Sequence, residues 1–283
     1  MSNKFGKITR YLLVLSLFIA SFAVNTAKAH AMNYRNYYGV EMTHEEYFTL
    51  LNLGFSEDEI HYMTEETFEE NKDLDATLLA STIKYYKTVY PMYGNSYTVE
   101  VTENEYNSVS DIVPLSTVDT TYKRSVSTIS KNSNKYRYKV SVTWKIMPST
   151  RSYDIIGIGF DDDVYINSSV YFNYVYEDSA GNYTTSTQYY DRKSTSTGGS
   201  AVYLLPTSMV GLSANLYYDV SKDTTNTLTS LTMCGDYAHA TSSVPVGNIS
   251  NYSIGIGGIN LGTSITSYYD SMPCAIAGLS VSW

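Results

Sequence analysis

The residues best equipped for covalent chemistry lie in the stretch CGDYAH, where Cys234, Asp236 and His239 bring a nucleophile, an acid and a base close together along the chain. Thiol–imidazole sites are assembled from distant segments, so closeness in sequence does not build one. Cys234 also has a competing role. The chain holds two cysteines, and an even count in an exported protein favours a Cys234–Cys274 disulfide, which would consume the thiol. Closing a loop of that size is worth about 3–4 kcal/mol in the chain-entropy model. Two buried free thiols are the alternative.

Metal chemistry has less to work with. The four histidines, His30, His44, His61 and His239, show neither H-x-x-x-H nor H-E-x-x-H spacing, and zinc needs three or four convergent ligands. Asp161, Asp162 and Asp163 form the densest run of carboxylates and are the candidate metal site. Their natural ion would be Ca2+, which gathers about six to eight oxygens in a loop. Consecutive carboxylates diverge on an extended chain, however, and a hairpin turn between Phe160 and Val164 is the competing reading. No other cofactor is expected. Glycoside hydrolysis would need two carboxyl groups about 5–10 Å apart, and the sequence singles out no such pair.

Two features bear on binding. Lys131, Lys135, Arg137, Lys139, Lys145 and Arg151 concentrate basic charge in one stretch of an acidic chain. Within KYRYKVSVTWKI, Lys135, Arg137, Lys139 and Lys145 take odd positions, while Tyr136, Tyr138, Val140, Val142, Trp144 and Ile146 take even ones. Successive strand side chains point to opposite faces, so this is a strand with one apolar and one basic face. The basic face is either plain solvated surface or a docking site for an anionic cell-envelope polymer or lipid headgroup. The second feature is the 30 tyrosines. A ring with an apolar body and a polar tip suits half-buried strands and also sugar or peptide recognition. In Tyr189-Tyr190, Tyr217-Tyr218 and Tyr268-Tyr269, adjacent rings would fall on opposite strand faces, which makes Tyr189, Tyr190, Tyr217, Tyr268 and Tyr269 candidate binding residues.

The elements that must position these residues follow from the patterning. Lys4, Lys7 and Arg10 precede an apolar run over 11–24, and Ala27-Lys28-Ala29 offers small residues where a signal peptidase reads, so residues 1–29 form a secretion signal. An uncleaved anchor is the alternative reading, but the run is short of the roughly 20 residues that span a bilayer. Residues 30–95 read as a small acidic helical module. Thr43 with Glu46 and Ser56 with Glu59 are capping boxes. Gly54 is a C-cap, a short helix around Glu65–Asn71 follows, and a longer one from Asp75 carries Leu79, Ile83, Tyr86 and Tyr90 at helical spacing.

Residues 96–283 read as a tyrosine-rich domain of short alternating strands. The fold class is therefore mainly β, an antiparallel sandwich of jelly-roll-like kind preceded by the helical module. The segments over 135–146 and 153–160 fit an antiparallel pair. Ser194–Ser200 reads as a surface loop, and the glycine-rich stretch over 253–262 as closely packed strands.

A formal charge of −9, made more acidic by loss of the leader's four cations, excludes bulk binding to nucleic acid. The composition points to a protein secreted to the outside of a bacterial-type cell, without a transmembrane segment once the leader is removed. Its expected function is non-catalytic binding of a cell-envelope or host glycan or of a protein. Two alternatives remain: a pore-former that unfolds Ser116–Ser133 and Tyr183–Gly199 as an amphipathic hairpin, and a secreted hydrolase with an unrecognised acid pair. Mass spectrometry of secreted protein should find a mature chain beginning at His30, or at Met32 if cleavage follows Ala31. An intact Met1 on a membrane-bound product would contradict the reading.

Overall fold

The computed structural model describes residues 33–91, 96–109, 119–132, 135–160, 164–222 and 229–280. The expected secretion signal over residues 1–29 and the candidate metal site Asp161, Asp162 and Asp163 lie outside them.

Two antiparallel sheets pack face to face. The first has eight strands. In spatial order they run β10 (Tyr183–Ser186), β9 (Tyr171–Asp178), β13 (Met209–Lys222), β6 (Lys135–Ile146), β5 (Asp119–Asn132), β3 (Ala76–Tyr90) and β4 (Tyr97–Val101), with β8 (Val164–Ile166) also paired to β13. The second has six: β11 (Asp191–Thr195), β12 (Gly198–Leu204), β7 (Tyr153–Phe160) and β14 (Ser230–Ala240), with β17 (Tyr269–Ser271) and β18 (Ala275–Ser280) both paired to β14. A two-residue ladder, β1 (Tyr34–Arg35) with β2 (Glu41–Met42), leads into three helices, α1 (His44–Asn52), α2 (Glu57–His61) and α3 (Glu65–Asn71). These lie on the outer face of the first sheet, where Leu50, Leu53, Phe55, Ile60 and Phe68 pack with Tyr217.

The pleat of β6 organises both layers. Its even residues Tyr136, Tyr138, Val140, Val142 and Trp144 are buried between the sheets with Leu212, Ala214, Leu216, Tyr218 and Val220 of β13 and Ile156, Ile158 and Phe160 of β7. Trp144 is 3% exposed, and its indole N–H donates to the Tyr237 hydroxyl at 3.3 Å. The helix starts form as their residues dictate, and both capping boxes are closed. The C-cap of α1 is Leu53, and the expected cap Gly54 follows it at φ +87°. The hairpin joining β9 to β10 is set by Asp178, whose carboxylate accepts from the amides of Ala180 and Asn182 at 2.8 and 2.9 Å.

The structure corrects several expectations. Residues 76–90 form a strand, not a helix, and pair with β5 along nearly their whole length. The run is rich in Thr, Tyr, Ile and Val, and a long partner strand outweighs a helical spacing of four apolar residues. The expected module junction near residue 95 therefore falls between two strands of the first sheet. Strands β6 and β7 are not a pair; they belong to different sheets and face each other across the core. Likewise Phe160 and Val164 end strands of different sheets, so they do not flank a hairpin. The expected loop over 194–200 is a β-hairpin whose glycines are buried. A Cβ at Gly198 would lie 2.3 Å from the Ile158 carbonyl oxygen, and one at Gly199 would lie 2.8 Å from the Tyr218 ring. A helix α4 (Glu103–Ser108) was not anticipated, although Thr102 caps it through the Glu105 amide. No helix among the described residues is long and apolar enough to cross a membrane.

The glycine-rich stretch does form closely packed strands. In it, β15 (Tyr252–Gly255) and β16 (Gly258–Leu261) make a hairpin against the outer face of the second sheet. Asp236 anchors this hairpin by accepting from the Ile259 amide at 2.7 Å, and Gly258, at φ +91°, passes so close that a Cβ would lie 2.3 Å from that carboxylate. Burial pushes the Asp236 carboxyl up to about 6. Between about pH 4 and 6 the folded chain holds a proton that the unfolded chain releases, so this contribution is complete below about pH 4 and lost as pH rises through 6. The unfolding free energy of the wild type, from urea denaturation, should therefore fall relative to that of Asp236→Asn between pH 4 and 7, by on the order of 2 kcal/mol. Parallel curves for the two proteins would contradict this.

Candidate functional site

The basic stripe is only partly surface. Lys135 is exposed and Lys145 half-buried, but Arg137 and Lys139 are 4% and 1% exposed, because the helices cover that face. Arg137 Nε donates to Asp219 Oδ1 at 2.8 Å, its Nη1 to Asn71 Oδ1, and its guanidinium lies over the Tyr217 ring. Lys139 Nζ donates to Glu59 Oε1 at 2.6 Å and to the Ser141 hydroxyl, and lies over the Phe55 ring. Burial pushes the Lys139 ammonium below its ordinary value, while the Glu59 carboxylate acts in the opposite direction. Lys145 reaches back to the carbonyl of Tyr106 at 2.9 Å. Alternation located the charged face correctly; what it could not reveal was a second layer on top of that face.

The tyrosines sort in the same way. Tyr217 is 3% exposed, stacked on Tyr171 with ring centroids 5.0 Å apart, and Tyr269 is buried beneath the β15–β16 hairpin. Tyr268 is half-buried in a short 3-10 turn. Tyr189 and Tyr190 are 45% and 48% exposed, and the structure brings these two together with others. They sit on the segment that crosses from β10 in the first sheet to β11 in the second. Beside them a groove of about 640 Å3 opens, lined by Tyr153 from the start of β7, Tyr174 and Tyr176 from β9, Thr184, Thr185 and Ser186 from β10, and Gln188, Leu204 and Pro206. None of these lining residues is charged.

The ring geometry of this groove is ordered. Tyr174 and Tyr176 stack 6.0 Å apart on one wall, and Tyr153 meets Tyr190 edge-on at 5.2 Å on the other. The β10 wall is held from outside the sheet by the N-terminal layer. The Tyr38 hydroxyl accepts from the Thr185 amide at 3.0 Å, Thr185 Oγ1 donates to the Tyr62 carbonyl at 3.0 Å, and the Tyr62 ring stacks on Tyr183 at 4.1 Å. Alternation along β9 puts Tyr174 and Tyr176 on the same inner face, but no local pattern shows that the sheets part there. A smaller cleft of about 270 Å3 shares Tyr189 and is charged, with Glu66, Glu70 and Arg192 in its lining.

The catalytic readings fare differently. Cys234 is bonded to Cys274, with Cα atoms 5.5 Å apart, so the thiol is not available to His239. His239 Nδ1 instead lies 2.9 Å from Asp154 Oδ2, an oxygen that also accepts from the Tyr237 hydroxyl at 2.6 Å. His239 and Asp154 are both 0% exposed. Strand β5, which carries most of Ser116–Ser133, is paired along both edges, and Tyr183–Gly199 supplies strands to both sheets. Among the described residues, no group of three or more His, Cys, Asp or Glu is placed to hold a metal ion.

No protein-family model matches the chain, and no curated protein is similar to it. Among solved structures, a domain titled BspA_C_WT aligns over 69% of this chain and 84% of its own at 7% identity, with a TM-score of 0.30. The collagen binding domain of Erysipelothrix rhusiopathiae surface protein RspB aligns over 56% of this chain and 65% of its own at 5% identity, with a TM-score of 0.28. Likeness at this level assigns no ligand and no activity to the chain described here.

The buried ion pair gives a direct test of how the helical layer is fastened. Lys139→Met leaves the Glu59 carboxylate buried without its cation and should cost about 3–5 kcal/mol, as should Glu59→Leu. The double variant should recover most of that loss, because replacing a whole buried pair by apolar groups is often near neutral. Urea denaturation of the three proteins measures it. Strictly additive losses would show that the two side chains do not depend on each other.

Proposed function

We propose that this chain is an exported, non-catalytic binding protein whose tyrosine groove takes a neutral glycan segment. The observation that carries the reading is the convergence of five tyrosines in one groove without a charged lining residue, on a chain whose net charge is −9. Phenol rings offer flat apolar faces to the C–H faces of a sugar, and their hydroxyls, with Thr184, Thr185, Ser186 and Gln188, can donate to and accept from sugar hydroxyls. The volume lies within the roughly 300–1,000 Å3 of small-molecule sites. An anionic polymer would meet no compensating cation there and an overall repulsive field. Export is supported by the disulfide, which belongs to oxidising compartments, and by the leader-like first residues.

Calorimetric titration with neutral cello-, xylo- and chito-oligosaccharides tests this. At least one series should bind and be recovered uncleaved. Tyr189→Ala and Tyr190→Ala should each cost roughly 1–2 kcal/mol, about five- to thirtyfold in Kd. Tyr268→Ala, outside the groove, should change nothing. Because the lining is neutral, the affinity should hold when salt is raised, unlike that of a screened charge contact. Binding that survives both groove substitutions, or that disappears with salt, would overturn the assignment.

A further inference from the structure

Lys123, on β5, points into the space between the sheets with its side chain 1% exposed, and its ammonium has no hydrogen-bond partner among the described residues. The rings of Trp144 and Tyr237 face Nζ at 4.8 and 5.7 Å. Across the sandwich, on β17, Asp270 presents Oδ2 at 3.9 Å from Nζ, with its side chain 2% exposed. The carboxyl is gripped from the other side. The His239 amide donates to Oδ1 at 3.3 Å, and the hydroxyls of Tyr90 and Thr98 donate to Oδ2 at 3.4 and 3.3 Å.

A buried ammonium that makes no hydrogen bond among the described residues and faces two aromatic rings is a costly state for a lysine. The pairing also fixes an amine and a carboxyl as neighbours within one molecule, with Nζ 3.9 Å from an oxygen of the carboxyl whose carbon it would attack, and holding two groups together in this way raises their effective molarity. We propose that Lys123 and Asp270 condense to an intramolecular isopeptide bond that ties the first sheet to the second. Nζ attacks the Asp270 carboxyl carbon, the new N–C bond forms, and the bond from that carbon to Oδ2 breaks. Two of the three ammonium protons end on Oδ2, which departs as water, and the third remains as the amide N–H. No oxidant, cofactor or further reactant is consumed.

The grip on Asp270 matches this course. Oδ1, which carries negative charge in the tetrahedral intermediate, already faces the His239 N–H, and the departing oxygen faces two hydroxyl donors. The product exchanges two buried charges for one neutral amide. It also does something the disulfide does not. Cys234 and Cys274 connect β14 to the segment following β17, within the second sheet, whereas a Lys123–Asp270 link would cross the core.

Intact-mass spectrometry of folded wild-type protein tests the proposal. The mass should be lower than that of the sequence by one water, in addition to the two hydrogens lost to the disulfide. Digestion should yield one branched product joining the peptide of Lys123 to that of Asp270. Lys123→Arg, which keeps the charge but cannot condense in this way, should show no water loss. A wild-type mass without the water loss, or a water loss with no branched peptide, would overturn the proposal.

Discussion

A single pleat obliges this chain to bury two cations. Once the even residues of β6 face the core, Arg137 and Lys139 must face outward, beneath the helices, and each can remain there only with a partner. Glu59 supplies one and does so economically. Its Oε2 accepts from the Ser56 amide and closes the start of α2, while its Oε1 accepts from Lys139. The carboxylate that begins the helix therefore also fastens it to the sheet. Asn71, in the last turn of α3, and Asp219 of β13 do the same for Arg137.

What is fastened this way reaches the candidate site. The segment before α1 is clasped to the helices through Asn36, which donates to the carbonyls of Ile60 and Met63. From that segment Tyr38 extends to the Thr185 amide, and from the end of α2 Tyr62 stacks on Tyr183. Strand β10 is an edge strand of four residues, too short to hold its own position against fraying. Its position as a groove wall depends on the N-terminal layer, and so, at one remove, on the buried ion pairs.

The alternation in KYRYKVSVTWKI and the capping boxes are each legible because they are local: pleat and cap are decided by residues within a few positions. Residues 76–90 escape a local reading because Leu79, Ile83, Tyr86 and Tyr90 satisfy a helical spacing, while the partner that makes them a strand lies some forty positions away. Lys139 lies on the face that alternation assigns it and Tyr217 on the face opposite Tyr218, but no local pattern announces the layer that covers them. Asp154 was legible in principle. It occupies an inward position of β7 in line with Ile156, Ile158 and Phe160, and an acid in such a row signals a buried polar network. The groove was half legible: Tyr189 and Tyr190 stood out as a pair, but the gap between two sheets is a property of the packed molecule.

The buried ion pairs hold β10 through the N-terminal layer, and the groove depends on that above all. Hydrogen exchange resolved to single amides, compared between wild type and Lys139→Met, tests it directly. In the variant, the Thr185 amide, which donates to Tyr38, should exchange faster together with the helical amides of Phe68 and Ile60, while the Val140 and Leu216 amides of the central strands stay protected. Faster exchange in the helices with an unchanged Thr185 amide would contradict the account, because β10 would then keep its place without them.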